Sequence, residues 1–190
     1  MVRLPIGISN RHIHLSEVDA DKLFGKEHQF KILKDLSQPW QFACEEVVTL
    51  KWPKWEIKNV RILWPLRKQT QVEISVSDGF ALGVKAPIRL SGDLKWSEGI
   101  NISGPNGEVY ITEWVIVAKR HLHITKPEAD ERWLKNNQSV KIGVPNDERW
   151  LIFDNVVVRL SDESALDVHI DVEEANAAGL KNGDRGELII

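Results

Sequence analysis

The main pattern along this chain is a succession of short runs in which apolar and polar residues alternate. Valine, isoleucine and threonine are frequent in these runs, and both features are typical of half-buried β-strands. Glycine, proline, asparagine and aspartate lie between the runs, as at residues 104–107 and 181–184, where they indicate turns. The predicted strands cover residues 47–50, 57–63, 70–76, 109–118, 139–144, 151–160, 166–170 and 186–190.

One short motif occurs twice in the chain. Residues 10–16 read Asn-Arg-His-Ile-His-Leu-Ser, and residues 119–125 read Lys-Arg-His-Leu-His-Ile-Thr. The similarity continues to an Ala-Asp pair at residues 20–21 and 129–130. Two such copies predict two related half-units, each of which begins with the same strand-to-helix element.

Each copy of the motif ends where a helix is expected to begin. Ser16 and Thr125 suit the N-cap position, because a hydroxyl there accepts a hydrogen bond from the first helical turn. Asp19 and Glu128 follow three residues later, as in a capping box. The two helices predicted from these residues are short and cover about residues 16–24 and 125–134.

The many short strands and the few helices together indicate the fold class. They favour a mainly β fold built from small β-barrels over an alternating β-α-β fold. The length of 190 residues suits one compact domain or two small intertwined ones.

The composition excludes several other classes of protein. Lys and Arg number 25 against 28 Asp and Glu, for a formal charge of -3, whereas nucleic-acid-binding proteins usually carry a basic surface. No apolar run approaches the length of a membrane span, and the first residues do not resemble a signal peptide. Cys44 is the single cysteine, so no intrachain disulfide can form and a reducing cytoplasm is the expected location.

Histidine is the residue type that most clearly indicates chemistry. Alternation places His12 with His14 on one strand face, and His121 with His123 on another. Such pairs suit a site for zinc, copper, iron or nickel, and His169 on a further alternating run could complete one ligand set. Hydrogen-bonded core or surface histidines are the alternative, but the repetition favours metal binding.

Three further positions are candidates for the site, each with an ordinary alternative. Glu73 shares a strand face with Gln71 and is either an oxygen ligand of a metal or a solvated carboxylate. Arg67 either holds phosphate through its planar fork of donors or is a surface charge. Ser91 begins a loop of small residues that either lets a ligand approach the backbone or forms an ordinary turn.

Two residues are predicted to have no part in the chemistry. His28 has polar sequence neighbours and is interpreted as a surface residue without a partner. Cys44 has no activating base nearby in the sequence, so it is interpreted as a structural thiol.

Several stretches of the sequence together resemble one enzyme family. Besides the two histidine motifs, they are Arg-Lys-Gln-Thr-Gln-Val-Glu-Ile-Ser at residues 67–75, Val-His-Ile-Asp at 168–171 and Glu-Ala-Asn-Ala-Ala-Gly at 174–179. The chain resembles the PduL-type phosphotransacylases, also called phosphate propanoyltransferases, and the similarity covers essentially its whole length.

This resemblance implies two β-barrels capped by short α-helices, with the N-terminal strand exchanged into the C-terminal barrel. One barrel would comprise residues 1–10 and 119–190, and the other would comprise residues 11–118.

The resemblance also implies a role for each candidate residue. Arg67 would bind phosphate as the catalytic residue, and Ser91 would line the region that binds coenzyme A and phosphate. Two zinc ions per chain would be held by two ligand sets: His12, His14 and Glu73, and His121, His123 and His169.

The reaction implied by the resemblance is the reversible conversion of a short acyl-CoA, propanoyl-CoA or acetyl-CoA, and phosphate to acyl phosphate and coenzyme A. Zinc can polarise the thioester carbonyl while phosphate attacks it directly, which fits the lack of a plausible nucleophilic side chain. A metal-dependent hydrolase is an alternative, because the same metals could activate water. A non-catalytic metal-binding module is another.

The resemblance also bears on location and partners. Nine residues precede Asn10, so the extension that directs some family members to bacterial microcompartments is not expected, and a free cytoplasmic enzyme is predicted. Neither nucleic acid nor a membrane is an expected partner. The sequence leaves open whether the chain forms a homo-oligomer.

Tryptophan is unusually frequent, with eight residues against one tyrosine. Several lie where a turn favours glycine, as at Trp40 and Trp55, and a bulky residue with φ > 0 is strained. The resemblance implies glycine at nearly all eight positions. We therefore hypothesise that the source organism reads UGA as glycine; the alternative is a lineage that acquired these tryptophans. Real tryptophans at Trp64 and Trp96 could obstruct the substrate pocket.

Overall fold

The computed structural model describes residues 2–146 and 148–189, and it confirms the predicted mainly β fold. Over these residues the chain forms fourteen strands and four short helices. The strands are β1 (Arg3–Ser9), β2 (His12–His14), β3 (Ile32–Asp35), β4 (Phe42–Trp52), β5 (Trp55–Trp64), β6 (Gln71–Glu73), β7 (Ile88–Arg89), β8 (Glu98–Ser103), β9 (Glu108–Ala118), β10 (His121–Ile124), β11 (Ser139–Val144), β12 (Leu151–Leu160), β13 (Asp167–Asp171) and β14 (Arg185–Ile189). The helices are α1 (Glu17–Phe24), α2 (Val76–Leu82), α3 (Lys126–Glu131) and α4 (Val172–Ala178).

The chain divides into two compact units, and the first combines both ends of the sequence. It comprises Met1–Ser9, Ser37–Pro39 and Lys119–Ile190. Its strands form a closed barrel in the order β1-β13-β10-β12-β11-β14. Strand β1 pairs in parallel with β13 and antiparallel with β14. The predicted exchange of the N-terminal strand into the C-terminal barrel is therefore confirmed.

The second unit comprises Asn10–Leu36 and Trp40–Ala118. Its strands follow the order β4-β5-β2-β6-β9, and β8 pairs with both β9 and β4. These pairings close a second ring of six strands, while β3 and β7 extend it at β4 and β9. Both barrels are thus closed, which leaves few unpaired strand edges.

The two barrels have the same strand order and the same pairing directions. Strands β2 and β10, which carry the repeated histidine motif, each pair in parallel on one side and antiparallel on the other. The antiparallel partners, β6 and β13, are equivalent in the two rings and are each followed by a short helix. The sequence repeat therefore corresponds to a repeated barrel.

The apolar residues of the repeated motif lie in the hydrophobic cores. Ile13 and Leu15 are fully buried in the core of the second unit, and Leu122 and Ile124 are fully buried in that of the first. Full burial of such a side chain contributes roughly 1.5–3 kcal/mol. Because side chains alternate along a strand, this burial turns the histidines to the other face.

The predicted helices and strands differ from the structure in a few places. Helix α3 ends at Glu131 instead of continuing to residue 134, because the chain leaves helical geometry at Trp133, which has a φ of 56°. The strand predicted over residues 70–76 ends at Glu73, since Ser75 caps helix α2 with a reciprocal capping box. Helix α4 begins with the same device at Asp171. Both helices were missed in the sequence.

The structure bears differently on the predictions made for His28 and Cys44, the two residues expected to have no part in the chemistry. His28 does have a partner, because its Nε2 lies 2.9 Å from a carboxylate oxygen of Glu46 and its ring packs near Phe24 and Phe30. His28 is exposed, as predicted, but the interpretation that it has no partner was wrong. Cys44 is fully buried, and burial raises the pKa of its thiol to about 12, which supports a structural role.

Four of the eight tryptophans adopt a backbone conformation that favours glycine. Their φ angles are 62° at Trp40, 62° at Trp96, 92° at Trp114 and 56° at Trp133. Trp40, Trp96 and Trp133 are also 89%, 91% and 89% exposed. A left-handed backbone is strained for a bulky residue, so these positions fit the hypothesis that glycine belongs there.

No helix in the described ranges is long and apolar enough to cross a bilayer.

Candidate metal centres

The first candidate centre lies in the second unit, where β2 and β6 pair antiparallel. The register places His12 directly opposite Glu73, and His14 lies on the same face as His12. All three side chains are buried, and one ligand atom of each lies within 4.8 Å of the others. The structure thus brings together the first ligand set predicted from the sequence.

Hydrogen bonding prepares His12 to present one particular nitrogen. Its Nδ1 lies 2.8 Å from the backbone carbonyl of Asn10 and must donate to it, because a carbonyl only accepts. The other nitrogen, Nε2, lies 3.4 Å from Oε2 of Glu73. Fixing a ring in this way is the usual role of groups behind a metal-binding histidine.

The electrostatics of this centre favour the ligand forms of two side chains, His14 and Glu73. Burial would lower the pKa of His12, but the charge and hydrogen bond of Glu73 outweigh it and raise that pKa. Burial lowers the pKa of His14 well below 6.5, and the charges of His12 and Arg67 lower it further. Burial would raise the pKa of Glu73, but the charge and hydrogen bond of His12 outweigh it and hold that pKa far below its usual range. A neutral imidazole and an ionised carboxylate are the forms that bind a metal.

Arg67 and Ser91 lie beside this first centre. The guanidinium of Arg67 donates from Nη1 to Oγ of Ser91 and from Nη2 to Nε2 of His14, both at 2.8 Å. The predicted phosphate-binding residue and the predicted coenzyme A residue are therefore in contact with each other and with a candidate ligand.

Gln71 is a further residue of this site, for which the sequence predicted no role. Its side chain is buried, and its amide nitrogen donates to Oε1 of Glu73 at 2.5 Å and to Oγ of Ser91 at 2.9 Å. Its amide oxygen accepts from the backbone N–H of Gly92 at 2.9 Å. Its position two residues before Glu73 on one strand face was the available indication.

The second candidate centre lies in the first unit, where β10 and β13 pair antiparallel. The register places His121 opposite His169, and His123 shares the face of His121. One ligand atom of each ring lies within 4.8 Å of the others, and the ring centroids are 4.6–5.3 Å apart. The second predicted ligand set is therefore also brought together.

The protonation states of this second centre also suit a metal. Nδ1 of His121 donates to the backbone carbonyl of Lys119 at 2.8 Å, as in the first centre. Its Nε2 then faces Nε2 of His123 at 3.0 Å. Burial, followed by the charges of His121 and His169, lowers the pKa of His123 to about 2. The ring of His123 is therefore neutral, and its Nε2 faces that of His121.

Asp167 and Gly7 complete the surroundings of His169, and neither was singled out in the sequence. Oδ2 of Asp167 lies 3.1 Å from Nε2 of His169, and Oγ of Ser37 lies 3.3 Å from the same nitrogen. Gly7 lies opposite His169 on β1. A Cβ at Gly7 would lie 2.8 Å from Oδ2 of Asp167 and 2.9 Å from Cδ2 of His169, so the bare backbone makes room for the pair.

Both donor sets fit a metal ion in type as well as in position. Two imidazoles with a carboxylate, and three imidazoles, are ligand sets that zinc accepts while keeping an open position. Oδ1 of Asp167 is buried without a hydrogen-bond partner among the described residues, which is unusual outside functional sites.

Two closed β-barrels, each with a metal-type donor set, and a guanidinium hydrogen-bonded to one of these sets define a class of double-barrel protein with two candidate metal centres. A family model for phosphate propanoyltransferase matches residues 5–181. The chain belongs to this family, and it is accordingly an enzyme, an acyltransferase of the phosphate propanoyltransferase type.

Individual relatives agree with the family match. A phosphate propanoyltransferase of Thermotoga maritima is 48% identical over 94% of this chain and 85% of its own length. One from Shewanella putrefaciens is 47% identical over 95% of this chain and 85% of its own. One from Clostridioides difficile is 47% identical over 98% of this chain and 88% of its own.

Proposed function

We propose that the chain transfers a short acyl group between coenzyme A and phosphate, with propanoyl-CoA or acetyl-CoA as the acyl donor. The reaction is reversible and yields acyl phosphate and free coenzyme A. The observation that carries this proposal is the double contact of Arg67, which joins a phosphate-binding type of side chain to Ser91 and to His14 of the first donor set.

Two zinc ions per chain are part of the proposal. His12, His14 and Glu73 would hold one, and His121, His123 and His169 would hold the other. When bound, zinc supplies a Lewis acid that polarises a thioester carbonyl.

Arg67 is proposed to bind the attacking phosphate. Its planar guanidinium can donate two parallel hydrogen bonds to phosphate oxygens, which would orient the anion and offset part of its charge. Without a metal, one of its nitrogens donates to Nε2 of His14. Once that histidine nitrogen serves as a ligand, the same donor becomes available to phosphate.

The acyl group is proposed to pass directly to phosphate. A phosphate oxygen attacks the thioester carbon, the C–S bond breaks and the thiolate of coenzyme A leaves. A covalent acyl-enzyme would need a nucleophile such as cysteine, and Cys44 is buried with a raised thiol pKa of about 12. Direct attack therefore fits the side chains of this protein better.

The test is a phosphate-dependent assay of coenzyme A release with the Arg67→Ala variant. Activity should fall at least about 100-fold, as expected when a charge-stabilising donor is lost, while the zinc content stays that of the unmodified enzyme. Arg67→Lys is the matched control, since it keeps the charge but loses the fork, and it should recover part of the activity. Normal turnover of Arg67→Ala would refute the assigned role.

The same assay separates the alternative functions. Coenzyme A release that proceeds without phosphate would identify a metal-dependent hydrolase, and bound zinc without any acyl transfer would identify a metal-binding module. Activity on propanoyl-CoA and acetyl-CoA, each with phosphate, supports the proposed transferase.

We also propose a cytoplasmic location, which follows from the single cysteine and its reduced, buried thiol. Fractionation of the source cells with an antibody to this chain tests it. Recovery with the membrane or an enclosed compartment would contradict the proposal.

A further inference from the structure

We propose that Gln71 and Asp167 are equivalent positioning residues, each of which orients the third ligand of one metal centre. This inference rests on the metal centres of the proposed function and adds the side chains that hold Glu73 and His169 in place.

The equivalence follows from the strand register in the two barrels. In each barrel the histidine strand pairs antiparallel with the strand that supplies the third ligand. The first histidine lies opposite the third ligand, and the second histidine lies opposite the residue two positions before it. The matched pairs are His12 with Glu73, His14 with Gln71, His121 with His169, and His123 with Asp167.

The chemistry of each positioning residue is complementary to that of its ligand. Glu73 is an anion, and Gln71 offers it an amide N–H donor at 2.5 Å. His169 is an imidazole, and Asp167 offers it a carboxylate acceptor at 3.1 Å. A donor therefore lies beside the carboxylate ligand and an acceptor beside the histidine ligand. Partners of this kind fix the orientation and protonation of metal ligands.

Asp167 lies next to a ligand but is not itself one of the ligands. His121, His123 and His169 form a set whose ligand atoms lie within 4.8 Å of one another, and Asp167 is not a member of that set. Its Oδ2 instead contacts one ring. Asp167 thus acts through His169, as Gln71 acts through Glu73.

The burial of Asp167 lowers the stability of the fold when it is considered alone. The residue is 3% exposed, and its Oδ1 has no hydrogen-bond partner among the described residues. A buried carboxylate oxygen without a partner is destabilising. A contribution to folding does not account for the residue, whereas a role in holding His169 does.

A third strand supports the Asp167–His169 pair. Gly7 on β1 lies opposite His169, and a Cβ there would meet both side chains at less than 3.0 Å. The pair therefore occupies space that only a glycine leaves open. The exchanged N-terminal strand contributes to the second centre through this missing side chain.

The test measures zinc binding by the full chain in competition with a chromophoric chelator. The unmodified chain should bind two zinc ions. Asp167→Asn, which keeps the shape but loses the charge, should weaken one of the two sites about 10- to 100-fold and leave the other unchanged. Gln71→Met, which removes the amide, should weaken the other site by a similar factor. Asp154→Asn, an exposed carboxylate in the same barrel as Asp167, is the matched control.

Thermal unfolding of the metal-free variants separates a positioning role from a structural one. Asp167→Asn removes a buried charge whose Oδ1 has no hydrogen-bond partner among the described residues, so its metal-free midpoint should not fall below that of the unmodified chain. Unchanged affinities at both sites in both variants, or a midpoint of Asp167→Asn that falls together with zinc affinity, would overturn the inference. Absence of zinc from the unmodified chain would instead refute the metal centres of the proposed function.

Discussion

The strained tryptophans allow a quantitative prediction about stability. An L-residue in the left-handed region costs roughly 1–2 kcal/mol relative to the right-handed one, whereas glycine adopts that region freely. Trp40, Trp96 and Trp133 have φ of 62°, 62° and 56° and are about nine-tenths exposed. Removal of these side chains therefore sacrifices little buried area. Because glycine also loses more chain entropy on folding, the net gain should be about 0.5–1 kcal/mol for each substitution to glycine.

The assay is thermal unfolding of the three single variants, Trp40→Gly, Trp96→Gly and Trp133→Gly. For a chain of this size, 1 kcal/mol corresponds to a shift in Tm of about 2–4 °C, so each variant should unfold a few degrees higher. Trp150→Gly is the matched control, because Trp150 is 59% exposed and is not among the residues with positive φ. It should be neutral or lower the Tm. Equal effects in the control and the three variants would contradict the strain argument.

Three further predictions concern the native chain, acid and metal removal. The intact mass of protein purified from its own source should be lower than the printed sequence requires, by the difference of eight Trp to Gly exchanges; a mass that matches eight tryptophans would end the recoding hypothesis. In the metal-free protein, burial lowers the pKa of His123 to about 2, so the unfolded chain binds a proton below pH 6.5 that the folded chain does not. Between pH 7 and pH 5 the free energy of unfolding should therefore fall relative to that of His123→Gln, by up to about 1 kcal/mol per pH unit. Denaturant titrations of both proteins measure this difference. The same pH dependence in both proteins would contradict the prediction. Chelation should abolish phosphate-dependent coenzyme A release and added zinc should restore it, whereas full activity in the metal-free enzyme would exclude a metal role.

Local sequence patterns predicted the elements that are stabilised locally. The long strands β9 and β12 contain many β-branched residues and were recognised from alternation. Helices α1 and α3 were recognised from the Ser16 and Thr125 caps. Helices α2 and α4 have equivalent caps but lie outside the repeated motif. Ser75 lies within an alternating run that was interpreted as strand, and Asp171 directly follows another such run, so neither was recognised as a cap.

The part of the candidate site that lies in the repeated histidine motif could be predicted from the sequence. His12 and His14 were singled out because the same spacing recurs at His121 and His123. Gln71 and Asp167 were not, because their roles depend on which strands pair and in what register. Alternation along one strand indicates which residues share a face, but it does not indicate which residue of a distant strand lies opposite. Gly7 was missed for the same reason.

The two barrels differ in the residue that hydrogen-bonds to the chain directly after the histidine motif. The backbone N–H of Arg67 donates to the carbonyl of Leu15, directly after the first histidine motif. The backbone N–H of Ser161 donates to the carbonyl of Ile124, the equivalent place after the second motif. In one barrel this residue is an arginine whose guanidinium contacts the donor set, and in the other it is a serine. An arginine also lies near the second donor set, because Arg159 on β12 is opposite His123 and its charge helps to lower the pKa of that histidine. The third ligands differ as well, since Glu73 brings a negative charge and His169 does not. A metal ion held by the first set would be partly neutralised by Glu73, whereas one held by the three histidines of the second set would keep its full charge.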